Sequence, residues 1–341
     1  MLPIARALPA ALVALLLAGP ALAADKVAIG LGGTAADTSF RIAEDRGFFK
    51  EAGIETNMVV LDSGAKQIAP LGTGELDVGS GALSVGFYNA IAQGIGIRIV
   101  ADKGHTAPGY FYQSILIRKD LIDSGAFKSL ADLKGKKIAF VAPGVTPLSV
   151  LNEAAKAGGI SFDDITQTIL NFPQQVVGLR NKAVDGSIII EPQATMLVSE
   201  GVAVRFMNTE DFYPNDQIAV VFFGEKFGTT RPDVAHRFMM AYLKGLRFYR
   251  DAIKGGKFAG PTAPEVTKII ADRFKLDPAI MAQMYAPAVD PDGKLNIASL
   301  QKDLDFFRSK GMVTADIKLK DVVDTSFAEK AAAELGPYKP K

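Results

Sequence analysis

The 341-residue chain has no cysteine, no tryptophan and only two histidines, His105 and His236. A chain without thiols has no disulfide staple, zinc–thiolate site, iron–sulfur cluster, thiol nucleophile or lipid anchor on an N-terminal Cys. Two histidines cannot build a His-rich metal centre, so neither a metal nor a cofactor is expected. Charge of one sign is also lacking, since 38 Lys and Arg stand against 37 Asp and Glu. Nucleic-acid binding needs a clustered surplus of cations on the phosphates, and the densest basic run, 133–137, reads as a solvated turn between helix and strand. No nucleic-acid partner is expected. Past residue 23 no segment offers the roughly 20 uninterrupted apolar residues of a membrane helix.

What is present is a globular composition, 48% apolar, with 33 Gly and 18 Pro in no fixed period. The length favours two domains over one. At the N-terminus Arg6 precedes an apolar run, 10–18, too short to span a bilayer, and Ala21-Leu22-Ala23 supplies the small residues of a signal-peptidase site. Residues 1–23 therefore read as a cleaved export signal, and the mature chain as a soluble periplasmic protein. The signal carries one of the cations and none of the anions, which leaves 37 of each in the mature chain.

Strand and helix patterns then alternate. Segments 26–31, 55–61, 76–78 and 97–101 read as strands, with helices at 40–52, 65–71 and 84–93 between them. The rhythm restarts with strands at 112–117, 137–141, 165–170 and 186–190 and helices at 148–157 and 173–181. Such βαβ alternation implies mostly parallel sheets covered by helices, and two runs of it imply two lobes. After Pro214 longer helices are expected, at 232–250, 264–274, 278–286, 297–310 and 319–335, three of them opening on Pro.

Five segments in order resemble one family. IAEDRGFFKEAGI at 42–54, LGTGELDVG at 71–79, LADLKGKKIA at 130–139, VDGSIIIEP at 184–192 and LKDVVDTSF at 319–327 are similar to periplasmic solute-binding proteins of the nitrate, sulfonate and thiamine-precursor type. The resemblance implies an α/β type II periplasmic-binding fold, two lobes joined by two crossover strands with a ligand between them. It implies lobe 1 from 25–110 and 215–341, lobe 2 from 111–214, and crossovers near 108–110 and 211–216. It also implies the partners: a small-molecule solute and an ABC-transporter permease in the inner membrane, with the binding protein itself monomeric.

In open α/β sheets ligands sit at the carboxyl ends of strands, beside helix N-termini, and the candidate contacts follow from that placement. Thr34, Asp37, Thr38, Ser39 and Phe40 follow the first strand, and Ser80, Gly81 and Ser84 the third. Val145 and Thr146 occupy the corner 141–148, where Thr146 is expected at the N-cap and Pro147 at the first helical position. Glu191 ends the strand 188–190, and Tyr110 and Asp216 flank the crossovers, as do Tyr112 and Tyr213, which suit stacking on a planar solute. Plain N-capping accounts equally for the hydroxyls at 38, 39 and 84. Glu191 also suits a salt bridge or a hinge hydrogen bond. No Lys or Arg falls within 32–40, 79–84 or 141–148, whereas a dianion in a dry cleft normally recruits a guanidinium. The lining therefore favours a neutral or amino-bearing planar solute, with Glu191 holding the amino group.

Catalytic patterns are weak. Gly30-x-Gly32-x-x-Ala35 has the form of a dinucleotide fingerprint, but the first acid after the second strand, Asp62, lies beyond the roughly 20-residue spacing that ribose binding needs. Ser63-x-x-Lys66 lacks the companion Ser-Asp-Asn and Lys-Thr-Gly motifs of penicillin-binding enzymes. A fungal enzyme related to the family consumes its own histidine and relies on a Cys-rich segment, which this chain does not have. The expectation is a binding protein closing on its solute, not an enzyme, with a secreted enzyme or a ligand-sensing partner of a membrane receptor as the alternatives.

Overall fold

Two five-stranded sheets organise the chain in a computed structural model that describes residues 23–61 and 63–341. Apart from Ala23, the expected export signal lies outside the described residues, and so does Asp62. The first sheet contains β1 (Asp25–Leu31), β2 (Ile54–Val60), β3 (Val78–Gly81) and β4 (Ile97–Gly104). The chain then builds the second sheet from β5 (Gln113–Arg118), β6 (Lys137–Phe140), β7 (Thr166–Ile169), β8 (Gly186–Ile190) and β9 (Ala203–Asn208), and returns to the first as β10 (Ala219–Gly224).

Strand order is β2-β1-β3-β10-β4 in the first sheet and β7-β6-β8-β5-β9 in the second. In each, the strand entered from the other sheet runs against its neighbours: β10 is antiparallel to β3 and β4, and β5 to β8 and β9. The remaining pairs, β1 with β2 and β3, and β6 with β7 and β8, are parallel. The carboxyl ends of the parallel strands and the amino ends of β5 and β10 consequently meet on one side, where the chain crosses between sheets.

The helices that position this region follow those strands: α1 (Thr38–Asp45) after β1, α2 (Val85–Ala92) after β3, α3 (Pro147–Ala157) after β6 and α4 (Phe172–Arg180) after β7. The 20-residue α5 (Pro232–Asp251) packs on α1, with Tyr242 4.6 Å from the Phe40 ring. Later, α6 (Ile297–Ser309) touches both halves of the molecule. Its Phe307 faces Tyr88 of α2, Phe306 meets Phe162 edge-on, and Lys302 pairs with Glu153 of α3 at 2.7 Å.

Three sequence expectations differ from the structure. The helix expected at 40–52 breaks at Gly47, whose left-handed φ of 74° ends one turn before a short second helix, Phe48–Glu51, begins. The last expected helix starts only at Ser326, after a 3-10 turn at Leu319–Asp321. Strands β9 and β10 lie where no strand was expected. All six residues of β10, AVVFFG, are buried, because it runs centrally between β3 and β4 with helices on both faces, and a doubly covered strand shows no polar alternation. Among the described residues no helix is long and apolar enough to cross a membrane.

Candidate functional site

A cavity lies between the two sheets at their shared strand ends. Its volume is about 60 Å³. From the first sheet come Gly32 and Thr34 after β1, Gly81 at the end of β3 and Lys103 near the end of β4. The second sheet contributes Tyr112 and Gln113 at β5, Val145 after β6 and Phe172 at the start of α4. Ile188, Ile190 and Ile218 make the surface between these groups apolar.

Backbone crowding shapes one corner. A Cβ on Gly81 would stand 2.9 Å from the Gly64 backbone, and one on Gly64 would stand 2.6 Å from the Ala82 carbonyl. Only glycines let the turns after β2 and β3 approach so closely.

Thr34, Gly81 and Val145 are the predicted contacts that border this cavity. The others serve neighbouring structure. Asp37 is buried and its carboxylate is spent: Oδ1 pairs with the Lys103 ammonium and Oδ2 accepts the Thr34 N–H at 2.8 Å. Thr38 Oγ1 donates to the Ala35 carbonyl at 2.7 Å, and the Phe40 ring lies in the core against α5. Ser39 Oγ is buried without a hydrogen-bond partner. Ser80 Oγ donates to the Gly30 carbonyl and accepts from Lys103 Nζ, each at 3.1 Å. Ser84 caps α2, accepting the Phe87 N–H at 3.2 Å. Thr146 holds the N-cap position of α3 ahead of Pro147, but its side chain makes no capping bond. Tyr110 turns back on Ala107 and packs against the core.

The two remaining acids are also committed. Glu191 is fully buried, pairs closely with Arg205, and accepts from the Thr195 N–H at 3.0 Å, the Thr195 hydroxyl at 2.8 Å and the Tyr285 N–H at 3.2 Å. Burial raises its carboxyl above the ordinary range, against the lowering by Arg205. Asp216 Oδ2 accepts from Gln113 at 3.1 Å, while Oδ1 has no partner. Burial, then the neighbouring Asp303, raises Asp216 well above the usual carboxylate value. None of these three acids lines the cavity, so it offers an amino group no carboxylate from among them.

Lys103, Gln113 and Phe172 escaped sequence reasoning. The fourth strand was expected to stop at Ala101, and it continues to Gly104 because Asp102 and Lys103 are buried with partners of their own. Lys103 is the one charged side chain among the described lining residues, and Asp37 already neutralises it. Tyr112 is different. It lines the cavity, and its hydroxyl is buried with no partner at hydrogen-bond distance, although Thr34 and the Ala36 backbone are near enough to lower its pKa slightly. Burial raises its pKa above that of an ordinary phenol, so it stays protonated as a donor.

Comparison with known proteins agrees with this architecture. The model of the family described as NMT1/THI5 like matches residues 36–252. A putative binding protein of Brucella abortus is 26% identical over 224 residues, and the match spans 62% of this chain and 62% of that protein. A putative aliphatic sulfonates-binding protein of Bacillus subtilis is 25% identical over 303 residues, covering 86% of this chain and 84% of its own. Among solved structures, the periplasmic nitrate-binding protein of Synechocystis superposes with a TM-score of 0.75 at 16% identity, over 92% of this chain and 89% of that one. At that identity the likeness shows the fold, and the fold is the two-lobed α/β architecture of periplasmic binding proteins.

Proposed function

The chain belongs to the NMT1/THI5-like family, and from that premise we propose that it is an extracytoplasmic solute-binding protein of an ABC importer. On this reading lobe 1 comprises 25–110 with 215–341 and lobe 2 comprises 111–214, and closure of the two on a solute creates the form that a membrane permease accepts. It is a periplasmic, monomeric binder and not an enzyme. The observation that carries the reading is the apolar cavity between the two sheets, lined in part by Tyr112, whose buried hydroxyl has no partner.

The same cavity narrows the solute. Its walls are mainly aliphatic and aromatic, and its one cation is internally paired. An added anion would face no unpaired charge, and an added cation none either. We read the solute as a small neutral molecule with an apolar body and a hydrogen-bonding group for Tyr112. Relatives named for sulfonate and nitrate share the fold, while the neutralised Lys103 supports a solute of another class here.

A thermal-shift series tests both parts. A solute that binds only the folded state raises its stability by RT ln(1 + [L]/Kd). Neutral rings such as nicotinamide, benzamide and uracil should include compounds that raise the melting temperature dose-dependently and are recovered chemically unaltered. Nitrate, sulfate and taurine at equal concentration should not. Stabilisation by the oxyanions alone contradicts the neutral class, and turnover of the bound ring contradicts the non-enzymatic reading.

A further inference from the structure

Leu83 to Val85 follow β3 of the first sheet, and Gly144 to Thr146 follow β6 of the second, yet the two segments pair with each other as an antiparallel bridge between Ser84 and Val145. The Val85 N–H donates to the Gly144 carbonyl at 2.7 Å, and the Thr146 N–H donates to the Leu83 carbonyl at 3.1 Å. Both segments adjoin the cavity, which Gly81, Ala82, Val145 and Pro147 help to line. We infer that these two backbone hydrogen bonds form a clasp that holds the lobes closed, so that the closed population is set by residues that need not touch the solute.

Local conformation supports this. Val85 is the first residue of α2, and its N–H is one of the four that an α-helix leaves without an internal partner. Here that orphan donor is used between lobes, where bonds of this kind can be broken by separation without disturbing either sheet. Ser84 is extended, with φ −145° and ψ 158°, which aims the Val85 N–H away from its own helix. On the other side Gly144 has φ +60°, and a Cβ there would stand 3.0 Å from Val85 Cβ. A side chain at 144 would thus be strained and would push the two segments apart.

The clasp can be cut with little harm to the helix that carries half of it. Proline is favoured at the first position of a helix, where the missing N–H is not needed internally, and the residue before it must be extended, as Ser84 already is. Val85→Pro therefore removes one interlobe bond and leaves α2 its natural start. Val85→Ala trims the side chain and keeps the N–H.

The chain has no cysteine, so thiols introduced at the exposed positions Lys50 and Val177, one on each side of the molecule, are the only ones available for spin labels. Distances between them are measured by pulsed electron–electron spin resonance on the full mature chain without solute. The parent and Val85→Ala should give one dominant separation. Val85→Pro should add a longer one, with the closed-to-open ratio falling about fivefold for one lost hydrogen bond. Gly144→Ala should move the same way, and it reads the clasp from the opposite lobe should Val85→Pro not fold. Identical distributions for the parent and every folded variant of the two, or a parent dominated by the longer separation, overturn the clasp. The inference rests on the reading that solute is held between the lobes, but the measurement uses no solute, so its failure and that of the solute screen are separate results.

Discussion

Tyr112 lines the cavity and its buried hydroxyl has no partner, which makes Tyr112→Phe informative in two directions. Deleting a buried hydroxyl that bonds to nothing relieves a desolvation cost, so urea unfolding should show stability unchanged or raised by up to about 1 kcal/mol. Affinity for the stabilising solute should fall by about 1 kcal/mol in titration calorimetry, the net value of one hydrogen bond. Lost stability with unchanged affinity would assign the hydroxyl to the fold instead. Glu191 should behave in the opposite way. Glu191→Gln leaves the Arg205 guanidinium, only 16% exposed, without its counter-charge, and removing one partner of a buried pair costs about 3 to 5 kcal/mol. The denaturation midpoint should drop accordingly, and a variant as stable as its parent would show that the pair is not structural. At this scale the sequence displays residue types at the right strand ends, but not their partners. Asp37, Glu191 and Asp216 look like free acids until the fold brings Lys103, Arg205 and Gln113 to them from other strands.

Among the elements, α2 begins where the cleft ends, and Ser84 both caps it and takes part in the bridge between lobes. Ser84→Ala removes the acceptor for the Phe87 N–H and should cost about 1 kcal/mol of stability by thermal unfolding, the usual value of an N-cap. A loss within error would mean that the hydroxyl contributes nothing to the helix start. The alternation of strands and helices up to Ile190 is legible because the helices keep a 3.6-residue period and the strands, several of them fully buried, are short apolar runs set between turn residues. Two strands are not. β10 is covered on both faces and reads as a short apolar run of no period, while β9, AVRFMN, is mostly half-buried and carries Arg205 and Asn208 without a clean alternation. Gly47 is visible as a residue but not as a helix break, because its left-handed conformation is imposed by the turn onto Phe49, which is buried in the core.

Over the whole molecule, the crossover between β9 and β10 and the bridging helix α6 bury two carboxylates together. Tyr213 donates to Asp303 Oδ1 at 2.8 Å, and Asp303 Oδ2 and Asp216 Oδ1 have no partner. Burial pushes Asp303 up to about 7 and raises Asp216 as well. A carboxyl whose pKa is higher folded than unfolded binds more protons in the native state. Its contribution is therefore present at low pH and is lost as pH rises from the unfolded value, about 4, through 7. Asp303→Asn keeps an acceptor for Tyr213 and cannot ionise, so relative to the parent it should gain stability between pH 5 and pH 8, read from urea midpoints. A difference independent of pH would mean that Asp303 does not titrate in that window.

The two-lobed arrangement was expected from the repeated βαβ rhythm and the five family-like segments, whereas the joining of the lobes through α6 and the backbone bridge depends on contacts between distant segments that no local pattern records. The central claim is that a solute is held between the two sheets. Hydrogen–deuterium exchange, with and without the compound that stabilises the protein most, tests it directly. The account predicts slowed exchange in both halves at once, in the turn after β1 and at 81–85 on one side, and at 112–113 and 144–146 on the other. Protection confined to one sheet, or lying away from these strand ends, would contradict it.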